Sequence, residues 1–166
     1  MFVPTSQERS LKKLGLNLQL LLKRLGANQN LLRYLFYTDD DPLSKTKTDV
    51  TFQEVWKKNI LPVPIIGTKD DSTSVISLKV LNGTEHSENS EFIDIFLNIE
   101  VFVPITQWIL KSDNMRPFLI MGEILESLDG KKIEGLGNLT ALNFSINFLT
   151  EEMSCYEMQF YLTQFK

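Results

Sequence analysis

The chain has 166 residues, 43% hydrophobic and 23% charged, with a net charge of −4 and a pI near 5.1. That is the length of one domain able to bury a core, so residues 1–166 read as a single unit with 1–10 as a mobile polar tail. The acidic balance argues against a nucleic-acid surface built on net positive charge, though not against a protein that surrounds DNA without gripping it.

The lone cysteine, Cys155, cannot form an internal disulfide and fits a reducing compartment. The first residues lack a basic stretch followed by an apolar run, so no signal peptide is expected. No stretch of about 18 apolar residues offers a membrane span.

Leu11, Leu14, Leu18, Leu21, Leu22 and Leu25 recur at helical spacing and predict an amphipathic helix closed by Gly26. A second helix is expected over 30–37, with Leu31, Leu32, Leu35 and Phe36 as its apolar stripe and Thr38-Asp-Asp-Asp-Pro42 as its stop. Thr51-Phe-Gln-Glu54 is a capping-box pattern and predicts a brief helix to about Asn59. Leu61-Pro-Val-Pro64 must be extended, because two prolines forbid a helix.

The apolar period then changes to two. A strand is expected over 74–81, with Ile76, Leu78 and Val80 on one face; Asn82-Gly83 reads as a turn signal, but the polar run to Ser90 makes the connection longer than a tight hairpin. The longest strand candidate is 92–105, with Ile93, Ile95, Leu97, Ile99, Val101 and Val103 on one face. Its other face mixes Asp94, Asn98 and Glu100 with Phe96 and Phe102, so those two rings are expected to meet something.

Pro117 suits the first turn of a helix that continues through Leu128 and ends at Asp129-Gly130. Two closing strands follow. Leu142, Phe144, Ile146 and Phe148 alternate with polar residues, as do Tyr156, Met158, Phe160 and Leu162, with the turn near 150–154. The expected fold class is α+β: an antiparallel or mixed four-stranded sheet with helices packed on it.

Motifs that carry chemistry are scarce. His86 is the only imidazole, with no nucleophile elbow near it, and is read as a solvated loop histidine. One His and one Cys cannot make a zinc site. Asp39-Asp40-Asp41 lacks the alternating ligands and central glycine of a calcium loop. The stretch Gly130–Gly137 follows a helix and leads to a strand, the reverse of a phosphate-binding loop. Glu151-Glu152 falls at a turn. Catalytic, cofactor and metal residues are therefore none, and the chain is read as a non-enzyme.

What stands out is aromatic excess at strand edges and termini: Phe96, Phe102, Trp108, Phe160, Tyr161 and Phe165 are the subunit-interface candidates. The alternative is that helices cover both faces of the sheet.

Asn30-Leu-Leu-Arg-Tyr-Leu-Phe-Tyr-Thr-Asp-Asp-Asp-Pro-Leu-Ser44, Ile60-Leu-Pro-Val-Pro64, the strand 92–105 and Met115-Arg-Pro-Phe118 with its helix and the closing hairpin resemble, in that order, structural proteins of phage head-to-tail gene clusters. The layout is similar to the tail-terminator and tail-completion fold. The resemblance covers roughly 17–165 and is structural rather than chemical.

It implies a homo-oligomeric ring at the neck or tail end of a tailed bacteriophage, located in the virion and assembled in the host cytoplasm. Portal, adaptor or tail-tube proteins would be its partners. DNA would pass through the lumen without specific binding, and no cofactor or membrane is involved. Competing readings are a soluble adaptor or assembly chaperone and, further off, a hydrolase built on carboxylates.

Overall fold

In the computed structural model, residues 6–63, 72–89, 91–133 and 137–165 are described. Helix α1 (Ser6–Leu25) begins earlier than the leucine spacing alone indicates. Leu21, Leu22 and Leu25 at its C-terminal end are buried, whereas Leu11, Leu16 and Leu20 remain exposed. Gly26 follows because of space: an added Cβ would sit 2.2 Å from the Phe52 ring. Helix α2 (Gln29–Phe36) is capped by Asn28, whose Oδ1 accepts from the Leu31 backbone N–H at 3.0 Å.

The capping-box residues do start helix α3, but it spans only Phe52–Val55. The Glu54 carboxylate accepts from both the backbone N–H and the hydroxyl of Thr51, each at 2.7 Å. These bonds hold the Glu54 carboxyl below its ordinary pKa. The chain leaves the helix at Trp56, and Lys57 takes a positive φ of 61°, which ends the helix well short of Asn59.

The remaining elements are β1 (Ile60–Leu61), β2 (Val75–Glu85), β3 (Phe92–Pro104), a 3-10 turn (Ile105–Gln107), α4 (Arg116–Leu128), β4 (Lys132–Ile133), β5 (Gly137–Asn138), β6 (Thr140–Leu149) and β7 (Met153–Phe165). The main sheet has five strands in the order β1-β2-β3-β7-β6, not the four expected. The additional strand is β1, a two-residue parallel partner of β2 too short to announce itself by periodicity. It makes the sheet mixed. A separate antiparallel ladder joins β4 to β5 inside the glycine-rich stretch.

Asn82-Gly83 is not a turn. Both residues stay in β2, paired with Phe96 and Ile95, because β3 is long enough to hold the strand to Glu85. The local irregularity is a bulge at Leu81, where the register slips between Val80 and Asn82.

Register fixes the two faces. Ile76, Val101 and Tyr156 lie in one row, and Leu78, Ile99, Met158 and Phe144 in the next. The core cluster joins this face to α1, α2 and α4 and draws nothing from the opposite face. Helices therefore cover one face of the sheet.

Arg116, the first residue of α4, is fully buried. Its guanidinium donates only to backbone carbonyls: Nε to Gln107 O at 3.0 Å, Nη1 to Tyr34 O at 2.8 Å and Tyr37 O at 2.6 Å, and Nη2 to Asp39 O. Burial lowers its pKa, opposed by the nearby Asp39 charge. The side chain ties the end of α2, the loop after it and the 3-10 turn to the start of α4.

Candidate assembly surface

Topology decides which apolar residues reach solvent. β7 runs through the sheet interior between β3 and β6, so β6 becomes the edge. Helix α4 meets it only near Ala141, at the helix C-terminal end. Leu142, Phe144, Ile146, Phe148 and Leu149 are 48%, 60%, 50%, 40% and 56% exposed.

The alternation of β6 reads in sequence like a core strand, yet its large side chains lie in the open. Thr140 to Leu149 also carries no charge and no proline, the usual guards of an edge strand. Two bulges, at Leu142 and Asn147, are the guards present. The second returns Phe148 to the outer face, opposite Cys155, while Phe144, Ile146 and Leu149 stay on the helix side.

On that helix side, β6 and α4 form an apolar corner. Exposed Phe118 packs on Tyr156, ring centroids 5.4 Å apart, and Tyr156 pairs with Ile146. Gly122 follows one turn along α4 with open space above it, and Asp129 accepts from the Ala141 N–H at 2.8 Å where the helix meets the strand.

The opposite sheet edge is also partly open. β1 covers only Ile76 and Ser77, and Val80 and Leu81 beyond it are about two-fifths exposed.

The outer face is a polar band bracketed by aromatic pairs. Within the band, Ser77 Oγ donates to Glu100 Oε2 and Asn98 Nδ2 to Glu157 Oε2, both at 2.8 Å. Asn98 Oδ1 is buried with no partner among the described atoms. One bracket is Phe96 with Tyr161, centroids 5.3 Å apart, where Tyr161 OH and Thr163 Oγ1 both donate to Asp94. The other is Phe102 with Phe148 at 6.0 Å. Phe96 and Phe102 thus meet the rings of neighbouring strands.

The remaining interface candidates scatter. Trp108 sits at the other face, 6.3 Å from Tyr156, and its Nε1 donates to Ser154 Oγ at 2.7 Å. Phe160 is a correction: it is fully buried in the core, because its position in β7 faces the helices, and it offers nothing to a partner. Phe165 pairs with Phe92 in register, and its side chain lies outside the described residues. Sequence reasoning found the strand β6 but not that its apolar side chains lie exposed at a sheet edge. The signal was an uncharged strand between two turns, but only the strand order reveals that it is an edge.

Polar candidates sit as ordinary loop residues. His86 Nδ1 accepts from the Glu88 N–H at 3.2 Å. Asp39 accepts from Lys47 and from the Asp41 N–H, which lowers its carboxyl pKa, with the lysine bond the largest cause. Asp40 and Asp41 border an open cleft of about 290 Å³ beside Tyr34, Pro42 and Leu110. Among the described residues, no group of three or more His, Cys, Asp or Glu is placed to hold a metal ion. None of the described helices is long and apolar enough to cross a membrane. Burial pushes the Cys155 thiol up to about 12.

The model of one protein family, YomW, matches residues 28–162. The chain belongs to the YomW family. YomW is phage-related, and the matched span begins at the Asn28 cap and runs through both the Arg116 clamp and the β6–β7 hairpin. No curated protein matches the chain. A solved chain described as part of the virion of a native gene transfer agent particle is 12% identical, with a TM-score of 0.47, over 66% of this chain and 80% of that one. That likeness is too loose to carry an argument.

Proposed function

We propose that this YomW-family chain is a structural, non-enzymatic subunit of a tailed-phage particle, forming a homo-oligomeric ring at the head–tail junction around the DNA channel. The observation that carries the reading is β6: an uncharged ten-residue edge strand with large apolar side chains in solvent.

Such a strand is a template for another chain, and a soluble protein retains one at a cost in aggregation unless it is covered in use. A ring requires one patch of a subunit to dock on a different patch of the next. The phage-related family supports the setting.

In the ring, the outer face, with the partly exposed Asp94 and Glu157 against Lys79, lines the lumen. An acidic wall lets DNA slide, since strong phosphate contacts would hold it. Portal, adaptor or tail-tube proteins contact the two ends of the ring.

The test is stoichiometry in purified particles, by quantitative mass spectrometry against the portal protein. A fixed ratio set by ring symmetry is expected. Absence from finished particles, with abundance in assembly intermediates, would replace the reading with that of an adaptor or chaperone.

A further inference from the structure

We propose that α1 of one subunit seats in the groove between α4 and β6 of the next, its exposed Leu16 and Leu20 covering the apolar helix-side residues of β6. This rests on the ring reading and names its interface.

The groove comes from the angle at which α4 crosses the sheet. Its C-terminal end meets β6, where Asp129 accepts from the Ala141 N–H. Its N-terminal end lies over β7 instead, with Phe118 on Tyr156. No described helix covers the rest of β6, so Phe144, Ile146 and Leu149 form an open apolar floor beside α4. Gly122 stands on the wall of this groove with open space where a side chain would be, which lets another helix approach α4 closely.

Helix α1 carries a matching face that its own chain does not use. Leu14 and Leu18 pack on the core, and Leu21, Leu22 and Leu25 lie within it. Leu16 and Leu20, one turn apart, fall on the opposite side of the helix and stay exposed. Lys12, Lys13 and Lys23 share that side, are exposed, and form no ion pair among the described residues.

Length and charge agree. The floor from Phe144 to Leu149 spans about 15 Å of strand, and Lys12 to Lys23 spans about 16 Å of helix. At one end of the floor, exposed Glu151 and Glu152 follow Leu149 in the turn. At the other, Glu126 and Asp129 are exposed at the C-terminal end of α4. Lys131 and Lys132 follow, and the four acids outnumber them. Lysines at both ends of the leucine pair therefore meet acids at both ends of the floor, their stems lying along apolar surface and their charges at the rim.

The area is sufficient. Phe118, Phe144, Ile146 and Leu149 expose on the order of 400 Å². A stable interface of ~800 Å² per partner is a little over half non-polar, so these side chains supply most of the apolar share. The two patches are distinct, because α1 touches its own α4 at Ser127, on the side away from Phe118 and Gly122. A contact between different patches repeats head to tail, as a closed ring requires.

The test is complementation between two full-length variants, read by sedimentation velocity. Leu16→Asp with Leu20→Asp disables the helix, and Phe144→Lys with Ile146→Lys disables the groove. All four positions are exposed, so thermal melts should stay within a few degrees of the native chain. The native chain should form large species and each variant alone should remain monomeric. An equimolar mixture of the two should give heterodimers and nothing larger. Lys12→Glu with Lys13→Glu, which removes no leucine contact, should raise the half-assembly concentration by about tenfold or more.

Large species from the helix variant alone would overturn the interface and leave the ring standing. Dimers of the helix variant that vanish in the groove variant would show two β6 strands meeting about a two-fold axis, against the proposal. A mixture that stays monomeric would also refute it. A native chain that is monomeric at every concentration would overturn both readings.

Discussion

Arg116→Met removes a buried cation and leaves its shape. Four carbonyl contacts, to Tyr34, Tyr37, Asp39 and Gln107, lose their donor together. A hydrogen bond from a charged group contributes about 1.5–3 kcal/mol, and an orphaned buried carbonyl costs about 1–3 kcal/mol. Relief from burying the guanidinium offsets part of this, since desolvation is what lowers its pKa.

The net expectation is a loss of about 4 kcal/mol, comparable to breaking a buried ion pair. For a chain of this length that is roughly 10 °C in Tm. Arg116→Lys should recover part of it, because one ammonium cannot reach carbonyls arrayed on three sides. Urea denaturation followed by far-UV circular dichroism measures both variants, with the midpoint falling and the slope unchanged. A Met variant within 1 kcal/mol of the native chain would refute the clamp.

Other variants probe separate features. Gly26→Ala should destabilise by about 1–3 kcal/mol, because the added methyl displaces the Phe52 ring, and thermal melting reads the loss. Cys155 should resist a maleimide at pH 8 in the native chain and react at once in denaturant. Its raised pKa also means stability falls as pH climbs above the ordinary thiol value of 9.0 toward about 12, a slope that Cys155→Ala should flatten.

Asp39, with its carboxyl below the ordinary 3.8, contributes stability that is present above that pH and lost as pH falls further. Being half-exposed and screened, the Asp39–Lys47 pair is worth less than about 1 kcal/mol, and Asp39→Asn should reduce the acid sensitivity by that much.

The long strands and helices were legible because each carries its own periodicity. Leu31, Leu32 and Leu35 sit in the core as their helical spacing predicts, and so do Ile95 through Val103 at period two. Three things escaped that reading. β1 has too few residues to show a period. Arg116 looks in sequence like any exposed residue at a helix start, and only the convergence of α2, its following loop and the 3-10 turn makes it a hub.

The third is β6, whose alternation is that of a half-buried strand. Whether such a strand lies inside or at the rim is set by which strand pairs where, a long-range property. For the same reason Phe160 and Tyr161, adjacent in sequence, part company: one faces the helices and the other stacks on Phe96.

The two bulges of β6 carry a consequence of their own. Each slips the register by one residue and bends the strand, so an arbitrary flat strand arriving from elsewhere finds its hydrogen bonds out of step within a few residues. An edge built this way is a poor template for chance strand addition, and so a poor seed for fibrils.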